Sequence, residues 1–272
     1  MLHLLRIEWL KVKNYRTFWI LLAMTILSIP GLNYLLYDLM NNSFPKVKVN
    51  GQNQSPVGSP FAFPDAWQTI SWNSTLLFII PAILIITLTT NEFTFKTHRQ
   101  NIIDGWSRRQ FLSVKLVELL MLAVTCTIVV FVTTLIFGCM ANKVAPGQSV
   151  WQDSRFVFFY FVQLLSYSTI AFLLALFIRR SGLAIGAFLM YMLAENIIVG
   201  LGRHKFNIDG VDYLPEEVTD RLIPQPYLHR VFQSSAETER WENHIPVYLV
   251  VAFVYLAIYY FITDRRITKS DL

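Results

Sequence analysis

The side chains best placed to act on something outside the lipid lie between Asn91 and Phe111. The stretch reads Asn91-Glu92-Phe93-Thr94-Phe95-Lys96-Thr97-His98-Arg99-Gln100-Asn101-Ile102-Ile103-Asp104-Gly105-Trp106-Ser107-Arg108-Arg109-Gln110-Phe111. Glu92 and Lys96 stand four apart in the order favoured for a helical ion pair. Gly105 marks a place where a helix can stop and turn, and Ser107 with Gln110 fits a capping box that starts the next one. The spacing predicts a helix, a sharp corner and a new helix, with a charged and aromatic tip that another protein could push. One further group stands apart: Glu195, beside Asn196, about 13 residues and roughly 20 Å into an apolar block. An ionisable side chain at that depth faces the bundle interior or a water-filled path by default; the alternative is a hydrogen bond to a neighbouring helix that serves structure alone.

Other chemistries find no support in the residue pattern. No G-x-x-x-x-G-K-[ST] phosphate loop occurs, so the chain has no such cradle for a nucleotide. No Ser/His/Asp, Cys/His or paired-carboxylate set stands out for catalysis, and the chain is not expected to be an enzyme. His204, His229 and His244 lack ligand spacing to one another, to a cysteine or to a carboxylate cluster, so no metal is expected. Cys126 and Cys139 are 13 residues apart in one apolar block, too far apart along a helix to bridge.

The elements that must carry these residues follow from composition. Of 272 residues 54% are hydrophobic and 15% charged, whereas soluble domains average about 25% charged; mean hydropathy is +0.44. The apolar residues come in blocks at 17–40, 70–90, 113–141, 156–178, 182–200 and 245–263, each long enough as a helix to cross a hydrocarbon core of about 30 Å. Lipid leaves backbone groups no external partners, and the blocks are too long for barrel strands, so six transmembrane helices in one all-α domain are expected. Pro30-Gly31 and Pro81 predict kinks in the first two. The four tryptophans Trp67, Trp72, Trp151 and Trp241 read as interface anchors.

Charge placement sets the orientation. Segments 1–16, 91–112, 179–181 and 264–272 hold 13 Lys and Arg in 50 residues, against nine in 87 for segments 41–69, 142–155 and 201–244. By the positive-inside rule both termini belong in the cytoplasm. The net charge of +5 is explained by this placement and implies no nucleic acid partner. Segment 41–69 reads as irregular loop up to Pro64, and 201–244 as a long extracytoplasmic loop with short helices at or dipping into the surface. Gly182 and Gly186 form a small-residue face on the fifth span, suited either to packing within the chain or to a dimer contact.

Asn91-Glu92-Phe93, Lys96-Thr97, Arg99 through Gly105, Ser107-Arg108, Phe111 and Lys115 resemble the loop after the second span in permease subunits of type-2 ATP-binding-cassette (ABC) transporters, close to versions in bacteria of the Bacteroidetes kind. Glu8-Trp9-Leu10-Lys11, Tyr15-Arg16-Thr17 and Phe63-Pro64-Asp65-Ala66-Trp67 are similar to the same permeases. The resemblance implies a multi-pass protein of the bacterial inner membrane, most simply an exporter, that works with an ABC ATPase subunit and a second permease subunit. ATP and Mg would be bound by that ATPase, with no cofactor in this chain. It implies that residues 1–16 form an interfacial connecting helix and 91–112 a cytoplasmic coupling loop, with Glu92, Lys96, Arg99, Gln100 and Asp104 facing the ATPase and Gly105 as the corner. It also implies a dimer contact through spans one and five. A carrier or channel using Glu195 for coupling or selectivity is the alternative from another class, and an assembly factor that moves nothing is a third. The cargo is not legible.

Overall fold

The computed structural model describes residues 2–43, 47–49, 52–54, 59–97, 100, 103, 105–141, 149–206, 208–227 and 235–269. It is a helical bundle. Helix α1 (Leu2–Lys13) precedes α2 (Arg16–Asp38), which stays helical through Pro30 and ends in a π-turn at Leu39–Ser43. A small antiparallel hairpin, β1 (Val47–Val49) with β2 (Gln52–Gln54), pairs Val47 with Gln54, where irregular loop was expected. There follow α3 (Ala66–Thr75), α4 (Ile79–Thr94), α5 (Arg108–Met140), α6 (Arg155–Ile178), α7 (Ser181–His204), the short α8 (Glu217–Asp220) and α9 (Ser235–Lys269).

Helices α2, α5, α6, α7 and α9 are long and apolar enough to cross a membrane, and α3 with α4 makes a sixth if the pair, bent by 46°, is one span. This is the architecture of a multi-pass membrane protein. The bend does not fall at Pro81. It falls at Leu76–Phe78, where tight i to i−3 bonds from Leu76, Leu77 and Phe78 close the end of α3. Pro81 then sits in the first turn of α4, where its missing N–H costs nothing.

Helix α6 is the axis of the bundle: 67% of its apolar stretch is buried, against 17% for α2 and α9 and 22% for α7. Exposed Leu, Ile, Val and Phe side chains on those outer helices, such as Leu27, Leu35, Ile197, Val250 and Phe253, form a lipid-facing surface. The half-span α3 is nearly wholly enclosed. Its polar side chains bond across the bundle: Asn73 Nδ2 donates to Asn33 Oδ1 of α2 at 3.0 Å, Tyr227 OH donates to Asn73 Oδ1 at 3.0 Å, and Gln68 Nε2 donates to Pro224 O at 2.9 Å. Trp67 is fully buried, donates from Nε1 to Val150 O at 2.7 Å and stacks on Trp151, so it anchors the core and not an interface. Trp241 likewise donates inward, to Arg221 O at 2.7 Å.

Gly138 of α5 lies directly against the ring of Phe63, and a Cβ there would overlap three ring carbons. Gly138→Val is expected to lower stability by about 1–3 kcal/mol, the usual cost of overpacking a close contact, read as a drop in the thermal midpoint of the detergent-solubilised chain. Gly182 and Gly186 have open space where a Cβ would stand, so among the described residues no element packs closely on them.

Candidate functional site

Two charged clusters lie at opposite ends of the bundle. The end that carries α1 and the close of α9 is called the near end below. There Ser107 caps α5: its hydroxyl accepts from the Gln110 N–H, and the Gln110 side chain accepts from the Ser107 N–H, the expected capping box. Two turns on, α5 turns Lys115 inward, 4% exposed. An ammonium group in an apolar setting is costly unless every proton has a partner. Lys115 Nζ donates to Glu92 Oε1 of α4 at 2.8 Å, to Glu8 Oε2 of α1 at 2.9 Å, and to Glu118 Oε2 at 3.2 Å. Glu8 is held from its other side by Lys11 at 2.7 Å. Burial by itself would raise the Glu8 carboxyl pKa; Lys115 and Lys11 overcome that and hold it down at about 2.

One lysine thus ties three elements that are far apart in sequence. The remaining near-end charges tighten the same knot. Thr97 donates to Glu92 Oε2 at 2.7 Å, and the Lys11 ammonium sits 5.7 Å from the centre of the buried Trp106 ring. Arg108 Nη1 donates to Thr268 O at 2.7 Å, joining α5 to the end of α9. Arg179, left-handed at φ 57 where α6 stops, lies over Phe93, and Arg266 lies over Phe177. Arg109 and Asp264 approach only to 3.8 Å with Arg109 largely in solvent, a contact worth little.

The residues expected on the coupling loop divide. Glu92 does not face outward: it is buried, with both carboxylate oxygens engaged by Lys115 and Thr97, and this corrects its assignment to a partner-facing surface. Lys96 is exposed at φ 55, just beyond the end of α4, instead of continuing the helix with Glu92. Gln100 is exposed, and Gly105 is exposed at φ 95, a corner that side chains other than glycine rarely adopt. Arg99 and Asp104 lie outside the described residues. Glu8, Lys11, Trp106, Lys115 and Glu118 were not expected at the site. The signal was present: Lys115 is the one Lys or Arg inside an expected span, with Glu118 three residues on.

At the far end, Glu195 is 6% exposed, and its Oε1 accepts the backbone N–H of Glu216 at 2.6 Å and of Glu217 at 3.0 Å. It therefore caps α8 from a different helix, satisfying donors that a helix start leaves free. Asn196 is exposed and donates back to Met192 O of its own helix at 2.9 Å. Asp220 Oδ1 accepts from Gln163 Nε2 at 2.6 Å and Tyr167 OH at 2.8 Å. Glu216 is 2% exposed, and among the described residues neither of its carboxyl oxygens has a hydrogen-bond partner. Burial, with the Glu195 and Asp220 carboxylates beside it, pushes the Glu216 carboxyl up to about 9. Burial is also the main cause that raises Asp220 to about 7. The two arginines nearby are committed elsewhere: Arg221 to Asp212 and Glu217 at 2.6 and 2.9 Å, and Arg203 to the same two carboxylates. The long loop is thus a folded cap, with a 3-10 turn at Asp209–Tyr213 and with Val218, Leu222 and Ile223 sunk into the core. Among the described residues no group of three or more His, Cys, Asp or Glu side chains could hold a metal ion.

A family model described as "Protein of unknown function (DUF2705)" matches residues 35–272. No curated protein matches the chain.

Proposed function

The chain belongs to the DUF2705 family, and we propose that it is the membrane-spanning permease subunit of an ABC-type exporter. In this reading the near end faces the cytoplasm, ATP and Mg are handled by a separate ATPase subunit, and the corner between α4 and α5 is where that ATPase pushes. The observation that carries the reading is the Lys115 cluster. A loop whose charges served only to orient the chain in the membrane would need no buried ion network behind it. Here the two helices that flank the corner are bonded through one ammonium group to each other and to α1, and Arg108 brings in the end of α9. A force on the exposed corner at Lys96, Gln100 and Gly105 therefore moves four elements together. The sequence likeness at 91–111 supports the same reading, and the open face at Gly182 and Gly186 suits a second permease subunit against α7.

The test is a mild-detergent pull-down of the tagged chain from its native membrane, followed by mass spectrometry. An ABC ATPase is expected in roughly equal amount, and Arg99→Glu or Asp104→Lys is expected to abolish its recovery while the chain still inserts. Wild-type chain recovered alone, or undiminished ATPase with both variants, would overturn the proposal.

A further inference from the structure

A cavity of about 510 Å³ opens on the lipid-facing surface at the near end, between α1, α2, α4 and α5. Phe18, Leu22, Leu84, Leu88, Leu122 and Phe172 make its walls, and Arg6, Glu8, Lys115 and Glu118 line it as well. Its mouth is formed by Trp9 and Met121, both at least half exposed. Trp9 meets Trp19 edge to face at 6.0 Å, and exposed indoles of this kind mark the headgroup level of a bilayer. The cavity therefore runs from headgroup depth into the hydrocarbon, with its charge at the headgroup end.

The charges decide what fits. Glu8, Glu92 and Glu118 each accept from Lys115, and Glu8 accepts from Lys11 as well, so each of these carboxylates already has an ammonium group within hydrogen-bond distance. Arg6 is exposed, and among the described residues no carboxylate pairs with it. Lys13 and Arg16 follow in sequence, both exposed, and no Asp or Glu occurs between Glu8 and Asp38. An arginine at headgroup depth with no carboxylate partner among the described residues, beside an apolar slot, matches a phosphate attached to an acyl chain.

We propose that this cavity is a binding site for one anionic phospholipid of the near-side leaflet, its chain in the slot and its phosphate on Arg6. The site wedges lipid between α1 and the first three spans, so the angle of α1 depends on the lipid. The proposal requires the membrane-embedded fold and not the transporter reading, and it is tested without an ATPase. The full chain is reconstituted in vesicles of phosphatidylglycerol mixed with phosphatidylcholine, extracted gently and weighed by native mass spectrometry. One retained phosphatidylglycerol per chain is expected. Arg6→Glu, a surface change, should cut retention about tenfold, the loss of one charge-assisted contact. Met121→Trp, which narrows the mouth, should also reduce it. Equal retention of phosphatidylcholine, no retained lipid, or undiminished phosphatidylglycerol in either variant would overturn the proposal.

Discussion

Lys115→Met is expected to be the most damaging single change in the chain, lowering stability by about 3–5 kcal/mol and releasing α1 from the bundle. The reason is asymmetry. Methionine fits the volume and suits the apolar setting, but it leaves Glu8, Glu92 and Glu118 packed together with Lys11 as the remaining cation of the cluster. Removing one member of a buried ion network costs that much because the others stay behind uncompensated. The loss should be visible as faster hydrogen exchange across Leu2–Lys13 and at the start of α5, while the far-end cap keeps its protection. Under the transporter reading the variant should still recruit an ATPase, whose dock is the exposed corner, yet fail to transport, because the corner no longer moves α1. Unchanged exchange in α1 would show that the helix is held by its apolar contacts alone. Lys115→Arg keeps the charge, and should retain much of the protection that methionine loses.

Much of the near end was written in local sequence, and the part that was not is the part that depends on tertiary contact. The Ser107–Gln110 capping box and the positive φ at Gly105 are short-range features, set by a hydroxyl three residues from an amide and by the absence of a Cβ. Both lie where the residues indicate. Glu92 was misread because the same four-residue spacing that permits a pair with Lys96 also leaves Glu92 free to turn inward, and a buried ammonium outcompetes an exposed one. Partners such as Glu8 and Lys115 are separated by 107 residues, a distance that no periodicity spans. The bend in the second span was misplaced for a related reason. A proline permits either a kink or a helix start; Pro81 lies in the first turn of α4, where its missing N–H costs nothing, and the bend falls just before it, where Leu76, Leu77 and Phe78 close α3 with i to i−3 bonds. Glu195 stands out in the sequence as an ionisable group in an apolar block, open to a path-lining or a hydrogen-bonded reading, and the structure shows the hydrogen bonds. Its partner proved to be the first two N–H groups around α8, and composition does not reveal that the loop folds back as a cap.

That cap should loosen as pH rises. Glu216 and Glu195 are buried with the half-buried Asp220 beside them, and the surrounding titratable and charged groups are Asp212, Glu217, Arg203, Arg221 and the tyrosines Tyr167, Tyr191 and Tyr259. The two arginines are paired with Asp212 and Glu217, so no described cation is left to balance the deeper acids. Folding raises the Glu216 carboxyl from 4.5 to about 9 and Asp220 from 3.8 to about 7. The folded cap therefore binds more protons than the unfolded chain across that interval, and its stability must fall as protons are withdrawn. The contribution is complete below the ordinary carboxylate values. Above those values it declines at up to about 1.4 kcal/mol per pH unit for each group, and the loss is complete once pH has passed the folded value, for Asp220 first and then for Glu216. Thermal midpoints of the purified chain should accordingly decline between mildly acidic and alkaline buffer, with exchange protection, corrected for the intrinsic rate, falling in residues 211–223. Glu216→Gln supplies a permanently neutral group of nearly the same shape, and should flatten the alkaline part of the decline while leaving the part due to Asp220. A midpoint that does not move with pH, or a Glu216→Gln profile that tracks the wild type into alkali, would mean that the carboxyl is ionised in the folded cap and finds its counter-charge in water.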